Sequence, residues 1–416
     1  MRPRPKTIQN TYLVLTLFNT LATSFIWGIN TLFLLDAGLS NAEAFLANAF
    51  FTVGQVLFEV PTGIVADLKG RRTSYLLGTV TLSMATLLYF FAWTMHAPFW
   101  IWAATSVLLG LGYTFFSGAT EAWLVDALAF ARYKKDLEAV FAKSQSIAGA
   151  AMLAGSVAGG IIAQATNLGV PYILRVIFLL VTFAVAFLFM KDWGFVPEKS
   201  VDLGADVRRL FVTSFQLGLK KPAVRWVMLA TPFASGVGFY VFYALQPHLL
   251  ALYGDPTAYG IAGLAAAILA GSQIVGGLTA PFIRRLFSLR TSALLAGEVI
   301  SVAFLIFLGT TMNFWAAILF LSLWGLVFAA LIPIRQAYLN SLIPSKQRAT
   351  VLSFDSLMGS SGGVAIQPYL GRVADLSNYS HSFVVGAALQ AIAVPFTFLA
   401  RRENLEADPQ LRSRKK

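Results

Sequence analysis

The segment Gly63-Ile64-Val65-Ala66-Asp67-Leu68-Lys69-Gly70-Arg71-Arg72 separates two apolar runs, residues 44–66 and 73–95. Each run is long enough to cross a bilayer at ~20 residues per crossing. The segment therefore reads as the turn between two membrane helices, and its chemistry fits that place. Gly63 lets another helix approach closely. Asp67 can accept backbone N–H bonds at a helix N-terminus, where a negative charge is favoured. Gly70 supplies a tight turn. Arg71 and Arg72 remain in water. An ordinary basic loop accounts for the arginines, but not for two glycines and an aspartate at this spacing.

The rest of the chain repeats the theme. It is 416 residues long, 57% hydrophobic and 12% charged, with mean hydropathy +0.70. A soluble domain carries about 25% charged residues, so lipid rather than water is the solvent this composition suits. About twelve apolar stretches are expected to span: residues 12–35, 44–66, 73–95, 99–130, 140–165, 171–190, 224–250, 259–283, 291–310, 314–339, 350–370 and 383–400. The fold class is thus all-α integral membrane. The first stretch is too long for a signal-peptide core and lacks a small-residue cleavage pattern.

Charge sets the expected orientation. With the N-terminus inside, 29 of the 31 Lys and Arg residues fall in inner segments, and Arg175 and Arg372 lie near the outer side. Positive loops stay cytoplasmic, so both termini are expected in the cytosol of a cytoplasmic-membrane protein. The net charge of +12 belongs to these loops and is not read as a nucleic-acid surface. There are no cysteines and three scattered histidines, which argue against disulfides and a metal centre. No cofactor is expected.

The longest polar break, residues 191–222, divides the chain into an N-terminal half (1–190) and a C-terminal half (223–401), with a basic tail at 402–416. Within the break, Asp206 can cap a short surface helix carrying Leu210, Phe211 and Phe215; a solvated linker reads equally well. The halves repeat weakly. Gln55…Arg72-Thr73-Ser74 recurs as Gln273…Arg290-Thr291-Ser292, Ala122-Trp123-Leu124 as Ala337-Tyr338-Leu339, and Gln145-Ser146-xx-Gly149 as Asp355-Ser356-xx-Gly359. Three matches in order, at offsets near half the chain length, point to duplication.

Several spans carry polar stripes at helical spacing. The second has Asn48, Thr52, Gln55, Glu59 and Thr62; the fourth has Ser106, Gly110, Tyr113, Ser117, Thr120 and Glu121; the first has Thr16, Thr20, Thr23, Trp27 and Asn30. A shared polar cleft explains all three, whereas helix packing explains each alone.

The loop from Gly63 to Arg72 resembles the signature loop of the major facilitator superfamily: a glycine, then aspartate, then glycine followed by two basic residues. It lies after the second of twelve spans, as in that family. The resemblance covers the whole chain. It implies two pseudo-symmetric six-helix halves that rock about a central site, giving alternating access. In the fifth span, Ala151-xxx-Gly155-Ser156-xx-Gly159-Gly160 resembles the glycine-rich motif of that family's drug:proton antiporters. Serine stands where those proteins have proline, and alanine replaces an upstream glycine. Close helix packing is the competing reading of Gly155, Gly159 and Gly160.

No G-x-x-x-x-G-K-[ST] loop is present, so the expected driver is an ion gradient rather than ATP. Carboxylates near the membrane interior are functional candidates. Glu121 and Glu59, on the striped faces, are the leading candidates for proton coupling. Asp126 and Asp355 are also candidates, though the family's inner charge cluster implies that Asp126 pairs with Arg71 or Arg72. Glu298 reads as structural. The repeat places Gln336 opposite Glu121, with Arg335 adjacent. The resemblance brings spans four and ten together on cytosolic closure, so a Glu121–Arg335 ion pair is an expected inner gate. Arg335 snorkelling to the surface is the alternative.

The leading expectation is a proton-coupled efflux antiporter for amphipathic small molecules, acting as a monomer in the lipid bilayer. Cavity candidates are Asn19, Trp27, Asn30, Gln55, Tyr113, Tyr240, Tyr243, Gln246, Trp324 and Gln336. A metabolite symporter or facilitator stays open, favoured by fixed hydrogen-bonding groups including Asn19, Asn30, Gln246, His248 and Gln367. A membrane sensor would ordinarily add a soluble signalling domain. An enzyme would need a clustered nucleophile or metal set, which the sequence does not offer.

Overall fold

The structure, a computed structural model, describes residues 3–134, 136–197, 222–343 and 348–403. The proposed surface helix around Asp206 lies outside these. Among the described residues there is no strand, and fifteen helices follow one another. They are α1 (Pro5–Trp27), α2 (Asn30–Asp36), α3 (Asn41–Lys69), α4 (Arg71–Thr94), α5 (Phe99–Thr114), α6 (Ala119–Phe130), α7 (Glu138–Ala165) and α8 (Val170–Phe189). After the central break come α9 (Pro222–Tyr253), α10 (Tyr259–Arg285), α11 (Arg290–Thr310), α12 (Phe314–Leu342), α13 (Arg348–Leu376), α14 (Tyr379–Ala391) and α15 (Ala393–Glu403).

Among the described residues, taking α5 with α6 and α14 with α15, ten helices are long and apolar enough to cross a membrane; α1 and α2, bent by 47° at Gly28 and Ile29, make an eleventh. The expected twelfth is α13, which is long enough but carries too many polar residues to pass on hydropathy. Large apolar side chains such as Leu57, Met84, Trp100 and Leu278 lie exposed, as lipid-facing residues do. The protein is a multi-pass membrane protein.

The fourth stretch, 99–130, forms one span as expected, with a turn inside it at residues 115–118, where Gly118 has φ +67°, a left-handed conformation that glycine adopts without a Cβ penalty. The break starts a new helix, α6, with Glu121 in its first turn.

Two compact units form. The first comprises Met1–Leu39, Leu46–Leu203 and Thr257–Ala267; the second comprises Ser40–Phe45, Gly204–Pro256 and Ile268–Lys416. Each unit shows the same pairing. In the first, α1 packs on α7 and α8, and α4 on α5 and α8. In the second, α9 packs on α13, α14 and α15, and α11 on α12 and α14. Lipid tails are as apolar as leucine, so close backbone approach through small residues holds such pairs. A Cβ at Gly159 of α7 would lie 1.9 Å from the Phe25 carbonyl oxygen of α1. A Cβ at Gly362 of α13 would lie 2.0 Å from the Pro232 carbonyl oxygen of α9.

The repeat shows in detail as well. Trp123 is 1% exposed and its Nε1 donates to the Lys191 carbonyl, 2.8 Å away, just beyond the last helix of its half. Tyr338, at the matching position, is 0% exposed and its hydroxyl donates to the Ala400 carbonyl in α15, 3.3 Å away. Trp123 thus ties α6 to the segment just after α8, and Tyr338 ties α12 to α15.

Candidate functional site

In the first unit, α1, α4, α6 and α7 and the break before α6 line an open cavity of about 250 Å³. Its lining includes Thr16, Asn19 and Thr20 from α1, Tyr75 from α4, Thr120 and Glu121 from α6, and Ser144 and Gln145 from α7. Tyr12 and Phe116 add aromatic faces. The α1 stripe is therefore a cavity wall, and its spacing of three and four brings these residues to one face. Thr16 Oγ1 and Ser144 Oγ lie 3.2 Å apart across the wall. Asn19 Oδ1 is buried without a hydrogen-bond partner. Glu121 is the exposed carboxylate of this chamber, and it sits where the first-turn N–H groups of α6 favour a negative charge.

Other members of the stripes pair off. Thr23 Oγ1 and the Tyr113 hydroxyl are 2.9 Å apart. Asn30 Nδ2 donates to Asn48 Oδ1 at 2.9 Å, and Asn30 Oδ1 accepts from the Tyr172 hydroxyl at 3.1 Å. Glu59 is exposed and takes a 2.5 Å hydrogen bond from Ser117. It stands outside the Glu121 cavity lining. Gln55 is half-buried on α3, whose backbone nearly touches Gly110 of α5. Trp27 is half-buried at the end of α1.

The signature loop differs from its sequence reading. A Cβ at Gly63 would meet nothing within 4 Å, so the close helix approach expected there is absent. Asp67 lies in the last turn of α3 and pairs with Arg71 one turn on, rather than capping a helix. The cap of α4 comes from Asp192, just after α8, which accepts from the Arg72 N–H at 2.8 Å. Gly70 has φ +101°, and a Cβ there would fall 2.3 Å from Asp192 Oδ2. Arg72 sends Nη2 to the Phe187 carbonyl at 2.7 Å. Asp126 pairs with neither arginine; Asp192 fills that role. Burial pushes the Asp192 carboxyl up from 3.8, and the hydrogen bonds and charges of Arg72 and Arg71 oppose the shift only in part. Sequence reading missed Asp192 because it lies about 120 residues from its partners and no local spacing links them.

In the second unit, Arg335 of α12 forks onto Asp355 of α13: Nη1 to Oδ2 at 2.8 Å and Nη2 to Oδ1 at 2.5 Å. Thr231 of α9 donates to Asp355 Oδ1 at 3.0 Å and contacts Arg335. Arg335 is thus engaged inside its own unit rather than snorkelling. Several expected cavity residues are core residues instead. Tyr240 is 0% exposed and bonds Ser382; Gln246 is 0% exposed; Trp324 is 1% exposed and stacks on Phe328. Helix-packing faces and cavity faces share one period, so the stripe alone does not separate them. Tyr243 is half-buried and Gln336 exposed. Glu298 is held by Thr397, whose hydroxyl lies 2.8 Å away, as its structural reading expects.

The glycines of α7 pack. A Cβ at Gly155 would meet the Ser24 hydroxyl, and one at Gly160 the Tyr259 carbonyl 2.4 Å away and the Gly263 backbone. Ser24 also donates to the Ala151 carbonyl at 3.2 Å.

The same helix pairings repeated in two units, a charged turn after the second span and a polar cavity in the first unit define a membrane transporter class. The chain belongs to the Major Facilitator Superfamily, whose family profile matches residues 12–366. It is 23% identical over 382 residues to the uncharacterized MFS-type transporter YxaM of Bacillus subtilis (strain 168), covering 87% of this chain and 88% of that one. Its fold is similar to that of the nucleoside transporter NupG (TM-score 0.75, 11% identity, 95% of this chain and 98% of that one). It is also similar to a bacterial homolog of the human lysosomal transporter Spinster (TM-score 0.70, 16% identity, 98% and 99%). The POT family transporter PepTSo is a third (TM-score 0.73, 14% identity, 97% and 99%). The protein is a transporter of this superfamily.

Proposed function

We propose that this transporter couples proton movement to efflux of amphipathic small molecules by alternating access, with Glu121 as the proton-carrying group. The observation that carries the reading is the Glu121 cavity. It joins one carboxylate to aromatic faces from Tyr12, Tyr75 and Phe116 and to neutral polar groups from Thr16, Asn19, Thr20 and Gln145. Aromatic walls suit apolar ligand parts, and a carboxylate on the wall of a membrane-protein cavity is a functional candidate. Glu59, hydrogen-bonded to Ser117, is the second candidate carrier.

Coupling needs a protonation state that biases one conformation. In this reading Arg335 exchanges Asp355 for Glu121 when the inner side closes, and protonating Glu121 weakens that closure. The orientation proposed with it places both termini and the central loop in the cytosol, in the cytoplasmic membrane.

A second reading, symport of a polar metabolite, is favoured by the unpartnered Asn19 Oδ1 in the cavity wall, a fixed acceptor awaiting a donor. One experiment separates them. Proteoliposomes holding the purified protein are given an imposed pH gradient and a panel of lipophilic dyes, nucleosides and dipeptides. Gradient-dependent flux of the dyes is expected. Flux confined to the polar metabolites overturns the efflux reading in favour of the second.

A further inference from the structure

Arg175 of α8 is 3% exposed, and its Nε is buried without a hydrogen-bond partner. Among the described residues of its unit, no acid bonds Arg175. Asp36 accepts from Trp93, Glu59 from Ser117 and Asp192 from Arg72, while Asp67 pairs with Arg71. Glu121 lines the cavity without bonding Arg175. The contact made by the guanidinium is with the Tyr113 ring, whose centroid is 5.8 Å from Cζ. It is also in electrostatic reach of the Tyr89 hydroxyl, itself 2.5 Å from Ser106 Oγ.

An arginine keeps its charge at any ordinary pH, and a π face compensates little of the hydration a buried guanidinium gives up. Intramembrane charges without partners mark ligand or ion pathways. Snorkelling does not explain this one. Along their helices, Arg175 lies about 8 Å from the start of α8 and Tyr113 about 21 Å from the start of α5, at 1.5 Å per residue. Both helices begin at the same end of the bundle, after loops that follow oppositely directed helices. The side chain therefore reaches toward the middle of the span, not back toward water. Tyr113 in turn bonds Thr23, one turn along α1 from the cavity residues Asn19 and Thr20. Arg175 thus stands behind Tyr113, one layer beyond the Glu121 cavity.

We propose that Arg175 is a substrate-recognition residue that pairs with the anionic group of a transported solute, so that the substrates are amphipathic organic anions bearing a carboxylate or a comparable acid. The inference rests on the transport reading, in either direction of coupling. A solute carboxylate supplies the missing charge and, as a planar two-oxygen acceptor, matches the guanidinium fork. Tyr113, above the cation, offers the aromatic wall for the apolar part of the same molecule.

The test uses three probes on one skeleton: 1-naphthaleneacetate, its methyl ester, and 1-naphthylethylammonium. Binding to purified full-length protein is read from quenching of tryptophan fluorescence, in wild type, R175Q and R175K. The account expects R175Q to lose at least ten-fold in affinity for the carboxylate, with the ester changed less than two-fold and the ammonium unchanged or tighter. R175K should recover part of the carboxylate affinity. Equal loss for all three probes assigns Arg175 a structural role and overturns the proposal, as does an unchanged carboxylate affinity. Should R175Q fail to fold, wild type alone decides, because a wild-type preference for the ester over the carboxylate also overturns it. A lipid headgroup is the rival source of the anion. Competition of the carboxylate by phosphatidylglycerol but not by unlabelled aryl carboxylates would refer the site to lipid and overturn the substrate claim. Flux keeps the two readings apart: gradient-driven transport of the ester but not the acid sinks this inference alone, whereas no gradient-driven transport of any probe sinks the coupling.

Discussion

Replacing Asp355 by Asn isolates the cluster that now holds Arg335. The carboxylate accepts both arms of the guanidinium and the Thr231 hydroxyl, and the side chains of Arg335 and Asp355 are 25% and 12% exposed. Removing one partner of a buried pair costs about 3–5 kcal/mol. The exposed quarter of Arg335 lets water repay part of that, and Asn keeps one acceptor, so about 2 kcal/mol is the expected loss. In a unit of about 200 residues this is about 4–8 °C of thermal midpoint. The assay is intrinsic-fluorescence melting of the detergent-purified protein, with R335M and the double variant R335M/D355L run beside it. The double variant should lie closer to wild type than either single one, since removing both charges leaves no orphan. A D355N midpoint indistinguishable from wild type, or a double variant worse than both singles, refutes the reasoning. So does retention of the D355N loss in a T231V background at full additivity, because the three groups share one network.

Gly70→Ala forces a Cβ onto Asp192 Oδ2 at positive φ, and should cost at least about 1–2 kcal/mol and reduce the folded yield. Yield and melting equal to wild type would show that the α3–α4 turn relaxes freely. Asp192→Ala leaves the Arg72 N–H without its acceptor, at about 1–3 kcal/mol, while Asp192→Asn keeps an acceptor and should lose less. Because the folded state raises this carboxyl above 3.8, its stabilising protonated form is fully present below that pH and is lost as pH rises through the raised value. D192N should therefore flatten the acid limb of the stability profile; an unchanged profile excludes the group. Gly159→Ala drives α7 from α1 at the Phe25 carbonyl and should destabilise by about 1–3 kcal/mol, judged by melting, and a neutral result would mean the helices are not in close contact there.

The spans and the turn between α3 and α4 are legible in the sequence because each is written locally, in apolar length and in a ten-residue pattern. The sequence carries the α1 face of the Glu121 cavity for the same reason: Thr16, Asn19 and Thr20 share a helical face. It does not reveal Asp192 as the cap of α4, nor Asp355 as the partner of Arg335, because those pairs arise between helices. Tyr240, Gln246 and Trp324 were legible as interior but not as core rather than cavity, since both environments use the same period. The small residues of α7 were legible as a close-packing face, and Phe25 and Ser24 are what they meet. Arg175 counted in the sequence as a stray outer cation; its burial beneath Tyr113 belongs to tertiary structure alone.

Glu121 as the proton carrier is the central claim, and Glu121→Gln tests it most directly. The substitution keeps the shape of the cavity wall and removes the titratable proton. In proteoliposomes, substrate flux is measured twice: driven by an imposed pH gradient, and as gradient-free exchange of labelled for unlabelled substrate. The account predicts that E121Q loses at least about ten-fold of the gradient-driven flux, a difference of about 1.4 kcal/mol in coupling, while exchange continues near the wild-type rate. Gradient-driven flux in E121Q equal to wild type, with proton movement still accompanying substrate, would contradict it.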